Sequence, residues 1–170
     1  VDLCDWRDEL YWFAQVARLS NVLAEPAYTA HAGRRGQASL TEVLRYTLEA
    51  EQLFGIPVGI EGHYPTKHDI WLLSTWAEYR MLLESGAHYA LDLSHLHIVA
   101  TVSGYVEWNL LRELLASPQC IEVHLSGNDG SADQHHALDV DAVPWWWPLL
   151  TYVHADAVIF SEGRQTIVSP

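Results

Sequence analysis

Apolar and polar positions along this chain switch between two rhythms. Short apolar runs of strand length recur, and most are separated by stretches with helical spacing. Val58-Gly59-Ile60-Glu61, Tyr89-Ala90-Leu91-Asp92, Cys120-Ile121-Glu122-Val123-His124 and Ala157-Val158-Ile159-Phe160-Ser161-Glu162 read as buried strands, and Tyr28-Thr29-Ala30-His31 is a weaker version. Asp5 to Asn21 has helical periodicity, with Trp6, Leu10, Phe13, Ala17 and Leu19 broadly on one side. After a loop from His31 to Gly36, Ser39-Leu40-Thr41-Glu42 forms a capping box. It opens a helix with Leu40, Val43, Leu44 and Leu48 on one stripe, which Gly55 ends. A loop from Gly62 to about Ser74 leads to a helix capped by Thr75 with Glu78 and stopped at Gly86. Val106 to Ala116 is a Leu-rich helix, Ser126 to Asp141 a long polar loop, and Pro144 starts a Trp-rich helix.

Strands alternating with helices predict a parallel α/β sheet. The repeat of about 30 residues is one strand-plus-helix unit. Together they point to a TIM (β/α)8 barrel, which needs about 250 residues when closed. The chain has 170 residues and five strand positions. It is expected to supply about the C-terminal five β/α units as one partial-barrel domain over residues 1–170. About three units would precede Val1, which is not an initiator Met.

The residues that close the five runs are His31, Glu61, Asp92, His124 and Glu162, spaced 30, 31, 32 and 38 apart. Side chains at the C-terminal ends of successive parallel strands converge on one face, where such barrels place their chemistry. Asp92-Leu93-Ser94-His95 adds His95 to that face. Asp133-Gln134-His135 puts an acid and an imidazole two apart, on one side of an extended segment. The metal-ligand set is then His31, Glu61, Asp92, His95, His124, Asp133, His135 and Glu162. That is too many for one tetrahedral zinc. Mixed carboxylates and imidazoles suit iron, manganese or zinc, and a carboxylate can bridge two ions, so two or three ions are expected. Glu61, Asp92 and His124 are the candidates for catalysis. Asn128 and Asp129 are candidates for touching substrate, against a plain loop-forming role. His63, His68, His88, His97 and His154 read as surface residues or as outer neighbours of the ligands. Trp145-Trp146-Trp147 reads as barrel-wall packing before substrate platform. No G-K-[ST] follows Gly33 and Gly36, and Ser94, Ser126 and Ser161 form no Ser-His-Asp arrangement.

Charge narrows the substrate class. The formal net charge of -13 leaves Arg34-Arg35 as the one basic pair, which argues against a nucleic-acid partner. Apolar residues make up 49%, enough for a core, and no apolar run approaches the roughly 20 residues of a membrane span. Cys4 and Cys120 make no disulfide framework, so a reducing cytoplasm is the expected setting.

Two resemblances rest on these motifs. The order strand-end His, Glu, D-x-x-H, His, D-x-H-H and final Glu resembles the xylose-isomerase-like TIM-barrel superfamily, including endonuclease IV, sugar isomerases and epimerases, and multinuclear non-haem iron oxidases. The segments Gly59-Ile60-Glu61-Gly62-His63-Tyr64-Pro65-Thr66, Ala90 to Leu96, Glu122 to Gly130, Pro144-Trp145-Trp146 and Phe160-Ser161-Glu162-Gly163 look like the methanobactin biosynthesis oxidases, from about residue 39 to 165. That resemblance implies a natural-product enzyme with two or three Fe ions. It would use O2 to oxidise cysteines of a ribosomally made precursor peptide to an oxazolone and thioamide, in a heterodimer with a small partner protein. Gly127 departs from the pattern, since related sequences often carry an acid there. The alternatives are a sugar isomerase or epimerase using Glu61 and Glu162 as metal-bridging or proton-transfer carboxylates, an endonuclease IV-like phosphodiesterase that the charge disfavours, and a non-catalytic metal-binding or scaffold subunit.

Overall fold

The computed structural model describes residues 1–139 and 141–164; Val140 and residues 165–170, which fall within the predicted domain and the predicted polar loop or the matched segment's end, lie outside it. Five strands form one parallel sheet in sequence order: β1 (Tyr28–His31), β2 (Val58–Glu61), β3 (Tyr89–Asp92), β4 (Cys120–Leu125) and β5 (Val158–Ser161). This is the partial TIM barrel that the alternating pattern predicts. Every residue of β2 and β3 is buried, as expected for strands covered on both faces. The register sets His31 level with Glu61, and Asp92 level with His124. One irregularity interrupts it: Tyr89 pairs with Cys120 but Ala90 pairs with Glu122, so Ile121 is an extra residue in β4.

The helices are α1 (Leu10–Leu23), α2 (Leu40–Phe54), α3 (Trp76–Ser85), α4 (Leu93–Ser103) and α5 (Trp108–Ala116). In α2 the capping box is made in both directions and Gly55 ends the helix with φ of 71°. Its buried stripe is Leu40, Val43, Tyr46, Thr47, Ala50 and Phe54, which leaves Leu48 exposed. In α1 the buried positions are Phe13, Ala17 and Ser20, while Leu10 and Leu19 face out.

Three elements differ from the sequence reading. Strand β5, read as a buried strand, has all four residues exposed because it is the edge of the described sheet. Helix α4 starts directly after Asp92 and carries His95 in its first turn. Its residues 93–96 and 98–100 are all buried, so it lacks the polar face that marks a helix in a sequence. The Trp-rich helix expected from Pro144 is a turn followed by a short 3₁₀ segment, Trp147–Tyr152, whose second residue is Pro148. Trp146 belongs to the core, as predicted for the Trp triplet, and Trp147 is exposed.

Both cysteines are free and buried. Among the described residues no helix is long and apolar enough to cross a membrane.

Candidate metal centre

The strands deliver residues at or within one position of their C-terminal ends to one place. Glu61 ends β2, Asp92 ends β3, His124 lies one residue before the end of β4, and Glu162 follows β5. Glycines permit this crowding at two points. A Cβ on Gly62 would lie 2.1 Å from the Tyr79 hydroxyl, and one on Gly163 would lie 2.7 Å from the His136 carbonyl.

Asp92 does two jobs with its two oxygens. Oδ1 caps α4 by accepting from the backbone N–H groups of Ser94 (2.7 Å) and His95 (3.2 Å). Oδ2 is buried with no hydrogen-bond partner among the described residues, 3.5 Å from His95 Nε2. His95 Nδ1 meets the Gly62 carbonyl at 2.9 Å, which turns Nε2 toward the carboxylates.

Asp133 and His135 come from the loop after β4. Gly127 and His136 exchange two backbone hydrogen bonds, at 2.8 and 2.9 Å, that pinch this loop closed. The His135 backbone has a left-handed φ of 48°, a conformation uncommon outside glycine. The Arg164 N–H donates to the His135 carbonyl at 2.9 Å, seating the loop against the end of β5.

All eight predicted ligands join one circuit. His31 Nε2 lies 3.5 Å from Glu61 Oε1, and His124 Nδ1 lies 3.3 Å from Glu61 Oε1 and 3.4 Å from Glu162 Oε1. Glu162 Oε2 is 3.8 Å from His135 Nδ1, and Asp133 Oδ2 reaches His135 Nε2 at 2.8 Å and His95 Nε2 at 3.3 Å. Two tighter groupings stand out: Glu61 with Asp92 and His95, and Asp92 with His124 and Glu162, each with ligand atoms within 4.8 Å of one another.

The electrostatics follow from five carboxylates, of Glu61, Asp92, Glu122, Asp133 and Glu162, packed around imidazoles. Burial works to lower the pKa of both histidines. For His124 the Glu122, Glu61 and Glu162 carboxylates outweigh it and raise the pKa to about 10; for His95, Asp92 and Asp133 raise it to about 9. Burial pushes the Glu61 carboxyl up, but His124, His31 and His95 bring it below the ordinary value. Glu162 goes the other way, raised by burial and by the like charges of Asp92 and Glu61 over the pull of His124 and His135.

A cation fits the residues present. Asp92 Oδ2, His124 Nδ1 and Asp133 Oδ1 are buried polar atoms without hydrogen-bond partners among the described residues, which is costly unless an ion or ordered water is shared. Oxygen and imidazole donors with no thiolate suit magnesium, manganese, iron or zinc.

Other predicted residues are elsewhere engaged. Asn128 donates to the Ser94 carbonyl at 2.9 Å and accepts from the Gly130 N–H at 2.8 Å, while Asp129 accepts from the Ser131 N–H and hydroxyl. Their side chains hold the loop. His63 is the histidine whose depth the sequence understated. It is buried, stacked on His31 at 4.2 Å and on Trp71 at 4.3 Å between ring centroids, and its pKa is lowered to about 3 by burial and the neighbouring histidines. Sequence reasoning also passed over Glu122, which bonds His124. Its signal was its place two residues before His124 on a strand, hence on the same face.

No protein-family profile matches the chain, and no curated protein does. Solved structures do. The chain is similar to 3-keto-D-glucoside 4-epimerase, YcjR, from E. coli (15% identity, TM-score 0.59, covering 95% of this chain and 65% of that one). It is similar to a D-tagatose 3-epimerase-like protein (18%, TM-score 0.61, 91% and 61%). A xylose isomerase domain protein from Alicyclobacillus acidocaldarius subsp. acidocaldarius matches likewise (18%, 0.61, 97% and 64%). The chain thus spans 61–65% of the length of these structures. At such identities the likeness establishes the fold. It corrects the expectation of a methanobactin-type, O2-dependent peptide oxidase: the neighbours bear sugar epimerase and xylose isomerase names, which matches the alternative reading. The physical reason is that the same order of acidic and imidazole residues is compatible with more than one chemistry, so it leaves the reaction open. What the chain has in common with these structures is the fold, a parallel β/α barrel.

Proposed function

We propose that this chain carries the reactive face of a metal-dependent sugar isomerase or epimerase. The observation that carries the reading is the pair Glu61 and Glu162. They flank His124 Nδ1 at 3.3 and 3.4 Å, and their surroundings move their carboxyl groups in opposite directions. Isomerisation or epimerisation beside a carbonyl removes a proton from carbon and returns one. Two carboxyl groups whose acidities are pushed apart suit the two halves of that exchange. Glu61, held ionised, is the acceptor of the proton. Glu162, held closer to its protonated form, is the donor.

Glu61, Asp92, His124 and Glu162 would hold a divalent cation, which when bound supplies positive charge to polarise a sugar carbonyl. Asp133, His135 and His95 face the same centre from the loop side and offer donors for a second ion or for sugar hydroxyls. The sugars in the neighbours' names, a 3-keto-D-glucoside and D-tagatose, set the first substrates to try.

The test is solvent exchange. Protein loaded with manganese, magnesium, iron or zinc is incubated in D2O with ketohexoses and with a 3-keto-glucoside, and deuterium entering at carbon is read by NMR. Incorporation that E61Q abolishes supports the reading. A wild-type protein that binds metal stoichiometrically yet exchanges no sugar proton with any of these substrates sinks it.

A further inference from the structure

Glu122 has no part in the ligand circuit, yet it touches the ring of a residue that does. Its Oε2 lies 3.2 Å from His124 Nε2 and accepts from the Thr29 hydroxyl at 3.0 Å. The other ring nitrogen, Nδ1, faces Glu61 and Glu162 and has no hydrogen-bond partner among the described residues. A neutral imidazole carries one proton. When one proton is released to make room for a metal ion, the acceptor fixed at Nε2 keeps the other there, and Nδ1 is the nitrogen left free.

The fold builds this contact across four strands. Thr29 is on β1 and Glu122 on β4. Between them, Gly59 of β2 is pinned on both sides, since a Cβ there would lie 2.9 Å from the Ile121 side chain and 3.0 Å from the Thr29 methyl. Ile121 is the extra residue of the β4 irregularity. A bulge re-aims the side chains around it. Here it lets Ile121 fill the space beside Gly59 while Glu122 and His124 both keep the interior face. Glu122 is largely shielded, with 19% of its side chain exposed, so its bond to His124 has little water to compete with it.

From this geometry we infer that Glu122, oriented by Thr29, is a positioning residue that makes His124 bind a metal ion through Nδ1. The inference rests on the metal site proposed above. Carboxylates that hold the far nitrogen of a ligating imidazole fix its tautomer and ring orientation, and their loss typically weakens metal binding roughly 10- to 100-fold.

Zinc is the probe, because it is diamagnetic. Zinc affinity is measured against a competing chelator for wild type, E122A, E122Q and T29V, and the ring nitrogens of His124 are read by ¹⁵N NMR in the zinc-loaded wild type. We expect zinc on Nδ1 and a proton on Nε2, an affinity loss of roughly 10- to 100-fold in E122A, a smaller loss in T29V, and substantial rescue in E122Q, which keeps an acceptor oxygen. Urea melts of the zinc-free proteins separate this from misfolding, and the wild-type NMR readout stands even where E122A does not fold. Zinc on Nε2, or wild-type affinity in both E122A and T29V, overturns the role of Glu122 and leaves the metal site intact. A wild type that binds no divalent ion overturns the metal site and this inference with it.

Discussion

Strands β3 and β5 bring carboxylates to the same centre by opposite means. Asp92 ends a strand whose every residue is buried, and while its Oδ1 caps α4, its Oδ2 is left facing the centre. Glu162 follows an edge strand whose four residues are all exposed, with Val158, Ile159 and Phe160 among the large apolar side chains at the surface. Its anchors are one backbone bond, from its N–H to the Leu125 carbonyl at 3.0 Å, and the loop packed against Gly163. The difference teaches that bringing a carboxylate to the centre and stabilising the fold around it are separable. At β3 they are fused in one carboxylate. At β5 they are apart.

The sharpest way to break this comparison is to replace the two carboxylates. Asp92→Ala should lower metal affinity more than about 100-fold, beyond the range of outer neighbours, and also cost about 1 kcal/mol of metal-free stability through the lost cap. Asp92→Asn keeps a cap acceptor and should recover most of the stability without the affinity. Glu162→Ala should lose affinity while metal-free stability stays within about 0.5 kcal/mol of wild type. Calorimetric titration and urea melts read both quantities; equal destabilisation at the two sites would end the distinction.

The two glycines beside these carboxylates extend it. Gly62→Ala drives a methyl into the fully buried Tyr79 and should cost about 1–3 kcal/mol by overpacking. Gly163→Ala presses on the backbone of the 126–141 loop at the edge, so it should weaken metal binding more than it lowers the melting temperature.

A third test uses pH on the metal-free protein. His95 and His124 have folded pKa values of about 9 and about 10, above the unfolded histidine value. Their stabilising effect is complete below the unfolded pKa of about 6.5 and fades as pH rises through the folded values. His63, lowered to about 3, acts in the opposite sense and costs stability as pH falls below the unfolded value. The melting temperature should therefore fall on the alkaline side, and H124Q should flatten that limb. Metal should bind more tightly as pH rises, because His95 and His124 must release protons. The smallest effect belongs to His31→Ala. That side chain is 40% exposed and meets Glu61 at 3.5 Å, so its loss should shift metal-free stability by no more than about 0.5 kcal/mol.

Much of this was legible in the chain. Apolar runs closed by Glu61, Asp92 and His124 marked strands and the residues that meet at their tips together, because a buried parallel strand must be continuous in its apolar residues and its tip is where polarity returns. Capping at Ser39 and Thr75 and the glycines at 55 and 86 placed two helices, because these signals act within a turn of the chain. Helix α4 escaped notice because burial on nearly all sides erases the periodic contrast that reveals a helix. Glu122 and His63 were visible as residues but not as neighbours. Their roles depend on a one-residue bulge in β4 and on stacking between the end of β1 and the loop after β2, contacts between positions far apart in sequence. The order of strands and the convergence of eight metal-capable side chains thus came from local patterning repeated along the chain. Which nitrogen faces the carboxylates, in which direction each acid's pKa moves, and which partners the side chains of Asn128 and Asp129 take came from distances that only folding creates, because hydrogen bonding and charge depend on ångströms across strands and hardly at all on separation in sequence.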